Sequence, residues 1–490
     1  MSEPPAIRLR SLNSRPVDPT GEWVLYWMTM QRRPGFNFAL EHAVSEAARL
    51  GRPLVILEAL RLGYARASER GHAFVLQGMA ANARALAGRP VLYFPYVELE
   101  PDQGQGLLAA LAQRACLVVA DDHPGFFLPR MLAAAGRQVP VQLLAVDGCG
   151  LLPLMAASQA YPSAYAFRRF LQKQLPGHLA AFPAADPLAG RDLPRLAELP
   201  ADIVQRWPAA PAAALAAAPE FLAGLPIDHT VPPVELSGGW RAAGERLETF
   251  LQDSLPRYLE RNHPDAEAAS GLSPWLHFGH ISPHQVFAAL ARREAWGPQR
   301  LGAKPAGKRE GWWGMSPPAE AFLDQLVTWR ELGFNAARHL PDHDQYDSLP
   351  GWARQGLAAA AGDPRPYLYR LEQLRVAATH DELWNAAQRQ LNQTGVMHNY
   401  LRMLWGKKIL EWTASPQEAL AVMLELNDRL ALDGRDPNSI CGIFWVLGRY
   451  DRPFGRHPVS GPLRPMTSAS ARRKLRLKQY LARWGGEGGG

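Results

Sequence analysis

The hydrophobic period of this chain changes once, and that change sets the architecture it can adopt. Up to about residue 150, short apolar runs at 23–28, 54–60, 91–97, 116–120 and 141–146 alternate with amphipathic stretches such as 36–50 and 73–86. Buried strands separated by helix-length segments predict an α/β domain, a doubly wound parallel sheet over residues 1–150. From Ser237 onward the period is helical: Leu247, Phe250, Leu251, Tyr258 and Leu259 fall near i, i+3, i+4 spacing, and no convincing strand follows. Residues 237–490 are therefore expected to form an all-α domain. Between the two, residues 151–236 are dense in Pro and Ala and read as an interdomain linker with short helical pieces. Thr379 with Glu382, and Ser415 with Glu418 and Pro416, read as capping boxes that start two helices. The glycine-rich tail at 485–490 reads as frayed.

Three cysteines, Cys116, Cys149 and Cys441, form no C-x-x-C pair, which excludes a disulfide framework and a four-cysteine cluster. The opening MSEPPAIRLRSLNSRPVDP lacks the apolar core of a signal peptide, and no uncharged apolar run approaches the ~18 residues needed to span a bilayer. A soluble cytoplasmic protein is expected. The formal charge of +7, from 53 basic and 46 acidic side chains, permits a polyanionic partner without requiring one. There is no G-x-G-x-x-G after the first strand, no nucleophile elbow and no metal motif.

Of 15 tryptophans, 12 lie at or beyond Trp240, and core packing accounts for most such residues. Trp405 and Trp412 are seven apart on one expected helix, so they share a face with Cα atoms about 10 Å apart. An indole from the neighbouring helix, Trp384, could lie between them and make a stepping chain for single electrons. Spacing alone leaves core packing as a competing reading. Ser270, Gly271, Leu272 and Ser273 lead into a helix, where backbone N–H groups and hydroxyls can meet a phosphate or simply cap the helix. Asp433 and Asp436, in LDGRDPN, read as turn carboxylates or as the lining of a pocket.

Residues 384–438, from WNAAQ through MHNYLRMLWGKKILEW to LDGRDPN, strongly resemble the flavin-binding core of the DNA photolyase/cryptochrome family, most of all its class II cyclobutane-dimer photolyases. SGLSPWLHFGHISP (270–283) and FLDQLVTWREL (322–332) match in the family's order, and YWM (26–28) and FNFALEHA (36–43) match more weakly. The likeness is dense from Ser270 to Trp445 and thin through the linker.

The resemblance implies FAD held by Tyr258, Ser270, Gly271, Leu272, Ser273, Phe322, Arg330, Asn399, Arg402, Asn427, Asp433 and Asp436. Asn427 corresponds to an asparagine facing flavin N5, where a neutral amide tunes protonation. Asn399 departs from class II, which usually has glycine there. Trp405, Trp384 and Trp412 correspond to the inner, middle and outer members of an electron-transfer triad. Trp329 and Trp445 correspond to an aromatic clamp on the lesion, with Met403 beside them. Arg452, Arg464 and the run ARRKLRLK (471–478) are candidate phosphate contacts. Gln325 stands where dimer-splitting enzymes usually have glutamate. An amide can donate and accept hydrogen bonds but can neither carry a proton nor make charge-assisted bonds. A lower splitting yield is expected.

The implied activity is light-driven repair of cyclobutane pyrimidine dimers, in which photoexcited reduced FAD passes one electron to the lesion. Damaged DNA is then the partner, a monomer at the nucleoid is expected, and an antenna chromophore of deazaflavin or folate type in the N-terminal domain is left open. The alternative is a cryptochrome-like photoreceptor using the same flavin and tryptophans; the short chain beyond residues 473–484 favours repair. A (6-4) enzyme is the weaker third reading, because its active-site histidines belong to a different sequence setting.

Overall fold

The computed structural model describes residues 3–486; residues 487–490 of the expected frayed tail lie outside the described residues. The chain forms two compact units. One comprises the chain up to Ala157 with Gln174–Leu247 and Trp275–Pro298, the other Ser158–Lys173, Glu248–Pro274 and everything from Gln299 on. Segment 151–236 is thus divided between both units, and Trp275–Pro298 joins the unit that carries the sheet.

In the first unit, strands β1 (Leu9–Ser11), β2 (Trp23–Met28), β3 (Leu54–Leu60), β4 (Leu92–Val97), β5 (Ala115–Asp122) and β6 (Gln142–Asp147) form one sheet in the order β1-β6-β5-β2-β3-β4. All pairings are parallel except β1 with β6. β2 and β5 read as unbroken apolar runs because both sheet faces are covered, and every residue of each is buried. The edge strand β1 escapes the period because it has only three residues, one of them Arg10. Helix α1 (Phe38–Leu50) is capped by Asn37, whose side chain accepts from Leu40 N, and α2 (Glu69–Leu86) is capped by Ser68.

The sheet changes direction between β2 and β5. There the Asp121 carboxylate accepts from the Tyr26 hydroxyl and from the N–H groups of Thr29, Met30 and Gln31, which fixes the loop after β2. Gly279, at φ +71, packs against that loop. Its carbonyl accepts from Arg33, and a Cβ there would lie 1.5 Å from Met30 O. The second half of the 270–283 block therefore belongs to the sheet's support.

The second unit is helical. Helix α3 (Ala164–Gln174) is followed by a helical run in which Pro317–Leu323 leads through a wide π-helical segment, Asp324–Trp329, into α4 (Arg330–His339). Helices α5 (Glu382–Thr394), α6 (Asn399–Trp412), α7 (Pro416–Leu430) and α8 (Pro437–Val446) follow. Ser415 caps α7 by accepting from Glu418 N, with Pro416 at the first helical position. The cap of α5 is Asp381, which accepts from Trp384 N. Thr379, the expected cap, donates instead to the Asn385 side chain. A carboxylate at the N-terminus answers the helix dipole as well as an orphan donor, which favours Asp381 over the hydroxyl. Among the described residues, no helix is long and apolar enough to cross a membrane.

Candidate active site

Helices α5 and α6 bring three tryptophans together. The Trp384 and Trp405 rings are parallel within 3° at a centroid separation of 6.5 Å, and Trp412 meets Trp384 edge-on at 5.5 Å. Trp384 thus lies between the other two. Its indole N–H donates to the Trp405 carbonyl, and the Trp405 indole donates to Gln388 Oε1 at 2.8 Å. Gln388 is fully buried. It is the last residue of WNAAQ, and its i, i+4 relation to Trp384 is the signal that could have found it. Beyond Trp412 sit Tyr369 and His380, at 5.4 and 5.3 Å, and these two share a 2.7 Å hydrogen bond between hydroxyl and Nδ1. Neither was singled out by sequence, since the segment before α5 carries no periodic pattern.

A polar network ties α6, α7 and α8. Arg402 donates two hydrogen bonds to Asp433, at 2.9 and 3.2 Å, and one to the Ser439 hydroxyl. Ser439 in turn donates to Asn427 Oδ1, while Asn427 Nδ2 donates to Gly434 O at 2.6 Å. Arg402, Asp433 and Asn427 are therefore joined, with the amide of Asn427 fixed at both ends. Ser439, unnoticed in the sequence, is the link. Asp436 caps α8, accepting from Asn438 N. Asn399 opens α6 and is exposed, with no hydrogen bond to this network.

Tyr258 and Phe322 pack at 5.4 Å, and Phe250 touches both. Burial pushes the Tyr258 phenol well above its ordinary range. Arg330 is buried with its guanidinium over Phe334. The turn before Ser273–His277 passes through Gly271 at φ +68, with Leu272 N donating to the Ser270 hydroxyl and Ser273 exposed.

A cleft of about 680 Å³ opens in the same unit, lined among others by Trp329, Trp445, Tyr450, Asp451, Arg464, Tyr165, Arg168, Gly307 and Arg309. Trp329 ends the π-helical segment that begins at Asp324, which a buried ion pair with Arg168 holds at 2.7 Å. Gln325 lies on that segment, half-buried, four residues before Trp329. Two basic side chains lie near the Trp445 ring: Lys407 Nζ is 5.7 Å and the Arg464 guanidinium 5.9 Å from its centroid. Lys407 is buried on α6 and donates to Val446 O at 2.5 Å, closing the C-terminus of α8. Burial pulls its ammonium down to about 7. Met403 packs toward α8, where its Cε comes within 3.3 Å of a Cβ built at Gly442. Arg464 is spent on Asp451 through two hydrogen bonds, and Arg452 is exposed near Phe454.

No family model matches the chain. A deoxyribodipyrimidine photo-lyase of Methanothermobacter thermautotrophicus is 32% identical over 483 residues, 98% of either chain. Enzymes of the same name from Oryza sativa subsp. japonica and Arabidopsis thaliana are 34% and 31% identical, covering 94% and 98% of this chain and 87% and 92% of their own. Among solved structures, a bacterial class III photolyase from Agrobacterium tumefaciens aligns with a TM-score of 0.66 over 95% of this chain and 86% of its own. At 19% identity that likeness is one of fold. Near-full-length agreement with several relatives makes this chain a member of the deoxyribodipyrimidine photo-lyase family.

Proposed function

We propose that this protein is a light-driven lyase that reverts cyclobutane pyrimidine dimers in DNA with FAD as its cofactor. The observation that carries this reading is the cleft shared by Trp329 and Trp445, in the same compact unit as the Trp405–Trp384–Trp412 series. Two indoles offer flat apolar walls to a lesion turned out of the duplex, a mode of recognition for which photolyases are a standing example.

The residues present fit a flavin dinucleotide. The left-handed turn at Gly271 sits between the hydroxyls of Ser270 and Ser273, a donor set suited to a pyrophosphate, and Leu272, Tyr258, Phe322 and Arg330 would complete the pocket. Arg402, Asp433 and Asn427, with Asp436 and Asn399 nearby, would hold the ring end through the polar network tied by Ser439. When bound, FAD supplies a blue-light-absorbing one-electron donor. Trp384, in contact with both neighbours, would pass an electron inward to Trp405 and be refilled from Trp412. Lys407 and Arg464 lie near the Trp445 ring and would steady it as a wall. Gln325 would hydrogen-bond the lesion without supplying a proton. An antenna pigment belongs to the same reading, at the carboxyl ends of β2 and β5 where the sheet reverses direction. So do a monomeric state and a cytoplasmic setting.

The test is illumination of the reduced, FAD-loaded protein with an oligonucleotide carrying one thymine dimer. Recovery of both thymines in light and none in the dark is expected. Failure to recover them, with flavin bound and photoreducible, would replace the enzyme by a photoreceptor.

A further inference from the structure

Ion pairing engages part of the cations the sequence drew attention to, while Arg452, Arg473, Lys474 and Lys478 are exposed. Arg464 is bound to Asp451, and Arg472 and Arg476 of the C-terminal basic run are bound to Glu382 and Glu260. A second group of cations lies on elements that contribute to the cleft. Arg169 and Lys173 are exposed on α3 one turn apart, and Lys304, Lys308 and Arg309 are exposed on the loop 302–315. Among the described residues, none of these five has a carboxylate within 4.0 Å. The loop's own exposed acid is Glu310.

This loop is built as a rigid piece. The buried Glu320 carboxylate accepts from the N–H groups of Gly311, Gly314 and Met315, and Gly302 N donates to Trp312 O. Gly307, at φ +72, is stitched to α3: its N–H donates to Gln172 Oε1 at 2.7 Å and its carbonyl accepts from Arg168. Gln172 Nε2 also donates to Lys308 O at 2.9 Å. A Cβ at Gly307 would lie 3.0 Å from the Tyr165 ring and 3.3 Å from Arg169 Cβ, so only glycine lets the loop lie this close. Tyr165, Arg168, Gly307 and Arg309 also line the cleft that holds Trp329 and Trp445. Arg309 lines that cleft, and Arg169, Lys173, Lys304 and Lys308 stand on the same helix and loop that give it Tyr165, Arg168 and Gly307.

We propose that the exposed side of α3 and the loop 302–315 form a phosphate rail that grips the backbone of lesion-bearing DNA beside the cleft. The proposal rests on the lesion-DNA reading of the cleft. Unpaired cations on an ordered backbone release counterions from the DNA without first breaking an internal ion pair. Its contribution is blind to sequence and to damage.

The test is the salt dependence of binding to a duplex oligonucleotide, with and without a dimer, by the FAD-loaded protein. Removing four charges, Arg169→Gln, Lys173→Gln, Lys304→Gln and Lys308→Gln, should lower the slope of log K against log salt by about 3 to 4 on both duplexes. The lysine-to-arginine variant at positions 173, 304 and 308 should keep the slope, and Arg472→Gln with Arg476→Gln should lower it by less than about 1. A fall below about 2 in the fourfold variant, or an equal fall per charge removed in the Arg472/Arg476 pair, overturns the rail. If the parent protein shows no preference for the dimer, the lesion reading fails instead, while the slopes on undamaged DNA still decide the rail.

Discussion

Trp384 and Trp405 lie parallel within 3°, 6.5 Å apart, and the indole N–H of the first donates to the backbone carbonyl of the second. The hydrogen bond fixes a middle ring that also touches Trp412. Trp384→Phe keeps most of the packing, costing about 1–3 kcal/mol of stability, but removes the redox-active ring. Photoreduction of bound FAD under blue light with a thiol should fall to background, followed by bleaching of the flavin band. A variant that bleaches as fast as the parent would remove Trp384 from the electron path.

Gln325 sits on the wide turn that also positions Trp329. Gln325→Glu restores a carboxyl group able to share a proton and make a charge-assisted bond, so the quantum yield of dimer splitting should rise several-fold, roughly the effect of 1 kcal/mol. Affinity for dimer DNA should change little. Yield is read from thymine recovery per absorbed photon, and an unchanged or lower yield counts against the role given to this position.

Gly279 leaves no room for a side chain beside Met30 O and holds a left-handed backbone. Gly279→Ala should cost roughly 3 kcal/mol or more, through the clash and the strained φ together. Denaturant unfolding measures this. A midpoint within error of the parent's would show that the loop after β2 yields freely.

Two buried histidines make the fold sensitive to acid. Burial, helped by Arg32, Arg33 and His277, holds His280 down to about 3. Burial holds His398 down to about 4, against the opposing hydrogen bond to Arg261 O. Unfolded histidine titrates near ~6.5, so between ~6.5 and those lower values the unfolded chain binds more protons than the native one. Their neutral forms therefore favour the native state fully above ~6.5, and this advantage is lost as pH falls through 4 and then 3. His398→Gln should flatten the part of the urea-midpoint profile between pH ~6.5 and ~4 relative to the parent. Parallel profiles over that range would exclude the assignment.

Strands such as Trp23–Met28 and Leu54–Leu60 were legible because burial on both faces turns a strand into an unbroken apolar run. Heptad spacing put Trp405 and Trp412 on one face of α6, with room for Trp384 of the neighbouring helix between them, and Trp384 does touch both. What stayed hidden was non-local. The placement of Trp275–Pro298 with the sheet depends on contacts such as Gly279 with Met30, far apart in the chain. Likewise, nothing in ARRKLRLK reveals that Glu260 and Glu382 have already claimed two of its arginines. Thr379 looked like a cap because the motif fits, but Asp381 stands two residues closer to the helix and carries the charge.

The segment Asp324–Trp329 winds more loosely than the helices on either side of it. A loose turn absorbs one extra residue: one residue fewer would let it tighten to ordinary α-helical winding with the flanking stretches kept in nearly the same rotation. Arg168 grips the start of the segment through Asp324 while Trp329 closes its end on the cleft. Deletion of one residue here should therefore disturb the flanking helices less than deletion of one inside α4, and its cost should fall on Trp329 and the cleft it lines.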